Sequence, residues 1–162
     1  MHLHFISPLD PTHFRSSSIA SERLRLSFVE EAARQSGYEI TGGISIDGYP
    51  DIIYISKITK DILKLILQTI QKIKNIPTII LVDYTDDILK SNFDDDRVKI
   101  YEELTKINSI FVVPVEGLSK QLEKRGKKFF VIPDGIDNMP SIEPYNKHNN
   151  KINVLWNGHS SN

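Results

Sequence analysis

The chain has 162 residues, which is about the length of one domain, and its 40% hydrophobic and 25% charged residues are ordinary for a globular protein. Its formal net charge of -1 provides no bulk electrostatic field that would favour nucleic acid or an anionic membrane, and the absence of cysteine excludes disulfides and thiolate metal sites. No apolar run approaches the roughly 20 residues of a membrane-spanning helix, and the first residues do not resemble a signal peptide, so we expect a soluble protein.

Short apolar runs alternate with helical patterns along the chain. The first helical pattern places Leu24, Phe28 and Ala32 on one face, flanked by Val29 and Ala33. Ser18 is its predicted N-cap and Gly37 its predicted C-cap. Because most predicted strands are almost entirely apolar, the pattern predicts an α/β fold, a Rossmann-like open parallel sheet with helices on both faces. Strands are predicted at residues 3–9, 38–46, 52–55, 78–82, 110–113 and 129–132, and further helices at residues 59–75, 97–107 and 117–125.

The end of the sequence has a different composition. Residues 138–150 are rich in Pro, Asn and charge and are interpreted as a linker. A strand pattern and a Gly-Ser turn follow. We therefore expect a domain at 1–137, the linker at 138–150, and the first strand and turn of a truncated second domain at 151–162. The alternative is that the last strand extends the edge of the only sheet.

Polar residues follow several of the predicted strands, where the crevice of a parallel sheet lies. The turn formed by Ser16, Ser17 and Ser18, together with Arg23, could hold a phosphate or a sugar hydroxyl, or it could be an ordinary capped helix start. Asp83 ends the clearest strand, where it could orient a reacting hydroxyl or simply cap the next turn.

No metal site is predicted. The acidic residues after Asp83 do not have the spacing of an EF-hand loop, which favours a solvated acidic loop. His2 and His4 alternate on the first strand, but two histidines without a third ligand are more typical of edge or core residues.

Several parts of the sequence resemble GT-B glycosyltransferases of the family-4 type. The serine-rich turn and Arg23-Leu24-Arg25 lie where the first loop of that family enters its first helix, and Asp83 ends the strand whose tip usually bears a His or Asp facing the cleft. The run Val131-Ile132-Pro133-Asp134-Gly135-Ile136-Asp137 resembles the V-I-P-N-G-V-D segment that closes the N-terminal domain of that family. Residues 110–118 resemble the strand-to-helix step V-I-V-P-S-E-x-L, and residues 156–160 resemble the opening of the nucleotide-sugar domain. The chain departs from the family in having serines in place of paired glycines in the first loop, and Asp instead of Asn at position 134.

This resemblance implies the acceptor-side, N-terminal domain of a glycosyltransferase that moves a sugar from a nucleotide-sugar donor to a cell-surface glycan, polysaccharide or lipid-linked acceptor. It implies that the domain is inactive without a C-terminal partner domain, which binds the nucleotide sugar, and that these 162 residues hold no cofactor of their own. The expected location is the cytoplasm, including peripheral contact with the inner face of the membrane. The implied roles are catalysis for Asp83, acceptor binding for Ser16, Ser17, Ser18 and Arg23, and donor or interdomain contact for Asp134, Gly135, Asp137, Gly158, His159 and Ser160.

Two other classes of protein share this pattern of elements. A flavodoxin-like or receiver-like signalling module would use Asp83 as a phosphoacceptor, but the chain lacks the acidic pair after the first strand and the lysine at the tip of the 110–113 strand. A dinucleotide oxidoreductase would need G-x-G-x-x-G after the first strand, which is absent.

Overall fold

A computed structural model describes residues 1–18, 22–56, 63–73, 77–86, 88–89 and 96–133. The strands in these ranges are β1 His2–Ile6, β2 Glu39–Gly43, β3 Ile52–Ile55, β4 Ile79–Asp83, β5 Ser109–Val113 and β6 Lys128–Val131. They form one sheet in which every neighbouring pair is parallel, in the order β2-β1-β3-β4-β5-β6. The predicted α/β class and open parallel sheet are confirmed, whereas the predicted strand of a second domain lies outside the described residues.

Helices lie on both faces of this sheet, as predicted. Helices α2, α3 and α4 contribute Ile66, Ile100 and Leu122 to one hydrophobic cluster, while α1 packs on the opposite face. None of the helices in the described ranges is both long and apolar enough to cross a membrane. The helices are α1 Ser27–Gln35, α2 Leu63–Ile73, α3 Asp96–Lys106 and α4 Glu116–Lys124, and a 3-10 helix, Pro11–Ser16, and a π-helical turn, Glu22–Leu26, precede α1.

The sheet buries apolar side chains on both faces because successive strand residues point to opposite sides. The cluster on the α2–α4 face includes Ile53, Val82 and Phe111, whereas the cluster on the α1 face includes Phe5 and Tyr54. This two-sided burial explains why the strands read as nearly continuous apolar runs.

The packed face of α1 is centred on the predicted flank instead of the predicted middle of the apolar face. Val29 and Ala33 of the flank pack against the cluster that contains Leu26 of the preceding turn, whereas Phe28 is 45% exposed and Ala32 is exposed. The π-helical turn before α1 is wider than an α-helical turn, so a 3.6-residue period counted through it assigns the wrong phase to the helix.

For the first helix, the predicted C-terminal cap is confirmed and the predicted N-terminal cap is wrong. Gly37 has φ +76° and follows the last turn, where the Tyr38 N–H donates to the Ala33 carbonyl at 3.0 Å, so the predicted glycine cap is confirmed. Ser18 does not cap α1, which starts at Ser27 after the π-helical turn. The helix start was misplaced because the 3-10 helix and the π-helical turn occupy the residues before it.

The two histidines of β1 bracket a threonine of the neighbouring strand. Thr41 Oγ1 lies 2.7 Å from His2 Nε2 and 2.8 Å from His4 Nδ1. The other ring nitrogen of His4, Nε2, is buried without a hydrogen-bond partner in the described part of the chain. Burial holds the pKa of His4 below its ordinary value of 6.5, and the nearby His2 lowers it further, although backbone groups of Gly43 and Ser45 and the charge of Asp47 oppose this. His4 is therefore a buried residue for which folding disfavours the charged form.

This burial predicts a loss of stability in mild acid. Because the pKa of His4 is lower in the folded chain than in the unfolded chain, the unfolded chain binds more protons there below about pH 6.5. The free energy of unfolding is therefore expected to fall as the pH drops toward the folded-state pKa. Above that pH the contribution is fully present. Its slope is at most about 1.4 kcal/mol per pH unit. Urea denaturation from pH 7.5 to 5.5 measures it. The His4→Gln variant should give a flatter curve, and the exposed His13→Gln control should keep the wild-type slope; equal slopes in wild type and His4→Gln would contradict this.

Candidate functional site

The carboxyl ends of the parallel strands meet along one edge of the sheet. Ser7 follows β1, Ser56 follows β3, and Asp83 is the last residue of β4. The strand order changes direction between β1 and β3, because the chain first adds β2 on one side and then builds β3 to β6 on the other. Ligands of open α/β sheets bind in the crevice outside such a switch point, so this edge is the candidate site.

Two buried serines form hydrogen bonds with main-chain groups at the switch point. The Ser56 hydroxyl donates to the Ile6 carbonyl at 2.9 Å, and the Ser7 hydroxyl accepts the Leu9 N–H at 3.2 Å. Both hydroxyls thus satisfy main-chain groups where β1 ends, which removes the cost of burying those groups without a partner. These contacts fix the backbone where β1 and β3 end, at the carboxyl edge of the sheet.

The first loop is held in place by the 3-10 helix. Asp10 caps it by accepting the Thr12 N–H at 2.9 Å, and hydrogen bonds from Thr12 lower the pKa of the Asp10 carboxyl. Phe14 is fully buried and packs edge-on against Phe5, with ring centroids 5.2 Å apart. The helix is thereby fixed onto the sheet, and the serine turn follows it directly.

The predicted acceptor-binding residues occupy different positions in that turn. Ser16 is exposed and donates to the His13 carbonyl at 3.1 Å, and Ser18 is also exposed. The Ser17 hydroxyl donates to the buried carboxylate of Glu22 at 2.6 Å, while its carbonyl accepts from Arg23 Nη1 at 2.9 Å. The structure therefore brings Ser17 and Arg23 together.

Asp83 forms a buried ion pair with Arg25 of the π-helical turn. Arg25 Nε donates to Asp83 Oδ1 at 3.0 Å and to Oδ2 at 3.1 Å, and Nη2 also contacts Oδ1. The Arg25 and Asp83 side chains are only 6% and 2% exposed. A buried guanidinium and carboxylate compensate each other only in such close geometry, and the pair joins the start of α1 to the tip of β4.

Tyrosines pack directly behind this pair. The Tyr101 hydroxyl donates to the Asp83 carbonyl at 3.2 Å, and the Tyr84 ring packs edge-on against Tyr101 with centroids 5.5 Å apart. Burial raises the pKa of Tyr101 far above its ordinary range, and the charge of Asp83 adds to this rise. Tyr101 is therefore a neutral donor that holds the end of β4.

A mainly apolar cavity of about 270 Å³ opens beside Arg25. Its walls come from α1 and its preceding turn, from the sheet, and from the segment that leaves β6. That segment is held by a hydrogen bond from the Ile132 N–H to the Val113 carbonyl at 2.9 Å. Besides Arg25, the lining includes Leu24, Phe28, Tyr54, Val112, Ile132 and Pro133.

Comparison with models of protein families, with curated proteins and with solved structures finds no match for this chain. The site is therefore interpreted from its own geometry.

Of the residues predicted from the sequence, Asp83 and the serine turn lie at the carboxyl edge of the sheet. Six predicted residues lie outside the described ranges, and within those ranges no group of three or more His, Asp or Glu side chains is arranged to hold a metal ion. The six are Asp134, Gly135, Asp137, Gly158, His159 and Ser160.

Arg25 belongs to the loop that resembles the family, but the sequence analysis predicts no role for it in the site. It stands between Leu24 and Leu26, and a cation flanked by residues of an apolar helix face is an unusual pattern that signals a buried partner. The nearest carboxylate in sequence is not that partner, since Asp83 is 58 residues away along the chain. Only the pairing of secondary-structure elements in space could identify it.

Proposed function

We propose that this domain forms the acceptor side of a sugar-transfer reaction and that a second unit binds the nucleotide sugar. The observation that carries the proposal is the cavity beside the buried Arg25–Asp83 pair, at the carboxyl edge of the sheet. Ile132 and Pro133, which belong to the segment resembling the family-4 motif, form part of its wall. The proposed crevice therefore coincides with the point where the motif begins.

In this proposal the cavity, Arg23 and the Arg25–Asp83 pair have different roles in binding the acceptor. The apolar cavity accommodates the apolar part of an acceptor, and Arg23, held close to Ser17, binds a phosphate or hydroxyl of it. Asp83 acts through Arg25, because the carboxylate fixes the guanidinium at the cavity wall. The transition state of sugar transfer carries positive charge on the sugar ring and negative charge on the leaving diphosphate, and the second unit would stabilise the latter.

The test is acceptor binding by the 162-residue chain. Saccharides linked to a short lipid diphosphate are titrated by calorimetry, with a nucleotide sugar alone as the second titrant. We expect the saccharide to bind. The Arg23→Ala variant should bind it at least about tenfold more weakly, because a hydrogen bond to a charged group contributes about 1.5–3 kcal/mol.

The matched control is Arg34→Ala, which removes an arginine that is 61% exposed and pairs with Glu30 on α1. This variant should bind like wild type, and circular dichroism should show that both variants are folded. Tight binding of the nucleotide sugar by this chain alone would contradict the proposal, and so would equal acceptor binding by Arg23→Ala and wild type.

One observation favours a different class of function. The first five strands have the order 2-1-3-4-5, which is that of flavodoxin-like domains, including signalling receivers. In that class Asp83 would accept a phosphoryl group. Both of its carboxylate oxygens are engaged by Arg25, however, and an attacking carboxylate would first have to leave this pair. Incubation with acetyl phosphate followed by intact-mass measurement distinguishes the two, since an increase of one phosphoryl group, lost in Asp83→Asn, would support the receiver.

A further inference from the structure

A second concave surface lies away from the carboxyl edge, over the face of the sheet that α2 covers. The connection from β2 to β3 consists only of residues 44–51, and it crosses β1, which lies between these strands. Parallel strands are usually joined by a dozen or more residues that include a helix. Ile44 and Ile46 of this crossover pack into the core cluster. The crossover is thinner than a helix, and this explains the open groove beside α2.

The groove has a volume of about 520 Å³, which is within the range of small-molecule sites. One wall is the crossover and the other is α2, so both walls belong to elements that are anchored in the core. The residues that carry hydrogen-bonding or aromatic groups are Ser45, Asp47 and Tyr49 on the crossover and Gln68, Thr69 and Lys72 on α2.

Tyr49 is the most unusual of these residues, because its side chain is 82% exposed. Gly48 precedes it with φ +81°, a left-handed conformation that favours glycine and turns the crossover just before the ring. A large aromatic surface in water is unfavourable for the isolated protein, and aromatic residues in that position are typical of binding surfaces. Packing within the described part of the fold therefore does not explain why an aromatic residue is present at position 49.

The charges and hydrogen-bonding groups of the groove lining indicate which class of ligand it fits. One cation and one anion, Lys72 and Asp47, lie on opposite walls of the groove, so its lining has no net charge, which disfavours phosphates and nucleotides. Hydroxyl groups on both walls and the Gln68 amide on α2 disfavour a purely apolar ligand. A neutral sugar fits both conditions, since its hydroxyls donate and accept hydrogen bonds and its C–H face packs on an aromatic ring.

We propose that the groove between the β2–β3 crossover and α2 binds a neutral saccharide, with Tyr49 as the aromatic platform and Asp47, Gln68 and Lys72 as hydrogen-bonding partners of its hydroxyls. This inference goes beyond the acceptor role of the carboxyl edge and does not depend on it, because no residue lines both cavities.

Saturation-transfer NMR on the full 162-residue chain tests it, with a panel of neutral mono- and disaccharides as probes and inorganic phosphate and uridine diphosphate as comparison ligands. We expect at least one neutral saccharide to bind, and Tyr49→Ala to weaken that binding about tenfold or more. Phe130→Ala is the matched control, because this aromatic ring is 58% exposed on another part of the protein, and it should bind like wild type.

Because Tyr49 is so exposed, its replacement should leave the melting temperature unchanged, so a loss of binding is not a loss of folding. Asp47→Asn should weaken binding of the neutral saccharide and, because it leaves the Lys72 charge unbalanced in the groove lining, it should increase the affinity for phosphate. Binding of no neutral saccharide, or equal binding by Tyr49→Ala and wild type, would overturn the inference, as would competition by phosphate. If Arg23→Ala abolishes saccharide binding and Tyr49→Ala does not, the groove inference fails while the carboxyl-edge proposal stands. If Tyr49→Ala abolishes saccharide binding and Arg23→Ala does not, the groove inference stands while the carboxyl-edge proposal fails.

Discussion

Replacing Arg25 by methionine is expected to lower the free energy of unfolding by about 3–5 kcal/mol, because it leaves the Asp83 carboxylate buried without its guanidinium partner. Asp83 is 1% exposed, so water cannot replace the lost hydrogen bonds. A loss of this size is a large part of the total stability of an ordinary domain, about 5–15 kcal/mol. Urea denaturation followed by circular dichroism at pH 7.5 measures it.

Two further variants test the cause of this loss. In the double variant Arg25→Met/Asp83→Leu no unpaired charge remains, so most of the lost stability should return even though both ionic groups are gone. The control is Arg34→Met, which breaks an exposed ion pair on the adjacent helix and should cost no more than about 1 kcal/mol. If Arg25→Met and Arg34→Met have equal effects, the buried pair does not hold α1 against β4.

Replacing Phe14 by alanine is the second change with a large expected effect. Phe14 is fully buried and packs on Phe5, and removal of such a ring costs about 3–5 kcal/mol through lost burial and the cavity left behind. Because Phe14 anchors the 3-10 helix that precedes the serine turn, we also expect the amides of residues 12–17 to exchange faster with solvent. Urea denaturation and hydrogen exchange by mass spectrometry are the two measurements.

The control for Phe14→Ala is Phe28→Ala, which removes the same ring from a position that is 45% exposed on α1. It should cost about 1 kcal/mol or less and leave exchange in residues 12–17 unchanged. Faster exchange across the whole sheet in Phe14→Ala, with no greater effect in residues 12–17, would show that the ring contributes only to general core packing.

Most strands of the described chain lie within one residue of their predicted bounds, whereas β1 and β2 end three residues earlier than predicted. β3 was predicted at its observed bounds, and β4 and β5 within one residue of each end, because a strand covered on both faces needs apolar side chains at successive positions. The alternation of such runs with helical patterns leaves few arrangements other than a parallel sheet. The position of Asp83 at a strand tip follows from the same local signal.

The first loop and helix could not be predicted in the same way. The glycine cap at Gly37 depends on one residue's conformation and is confirmed, but the packed face is centred on the predicted flank at Val29 and not on Phe28. The close fit at Gly42 is not visible in the sequence, since an added Cβ inside β2 would come within 2.6 Å of Pro11 Cγ. That requirement comes from the 3-10 helix packed against it.

By itself the sequence determined the class of fold, since burial of strands on both faces and the periods of strand and helix are local properties of the chain. The tertiary structure decided which charges meet and where space remains. Arg25 reaches Asp83, and the short crossover passes beside α2, only after the strands have taken their order in the sheet. Such contacts join residues far apart in the chain, so no nearby residue in the sequence indicates them.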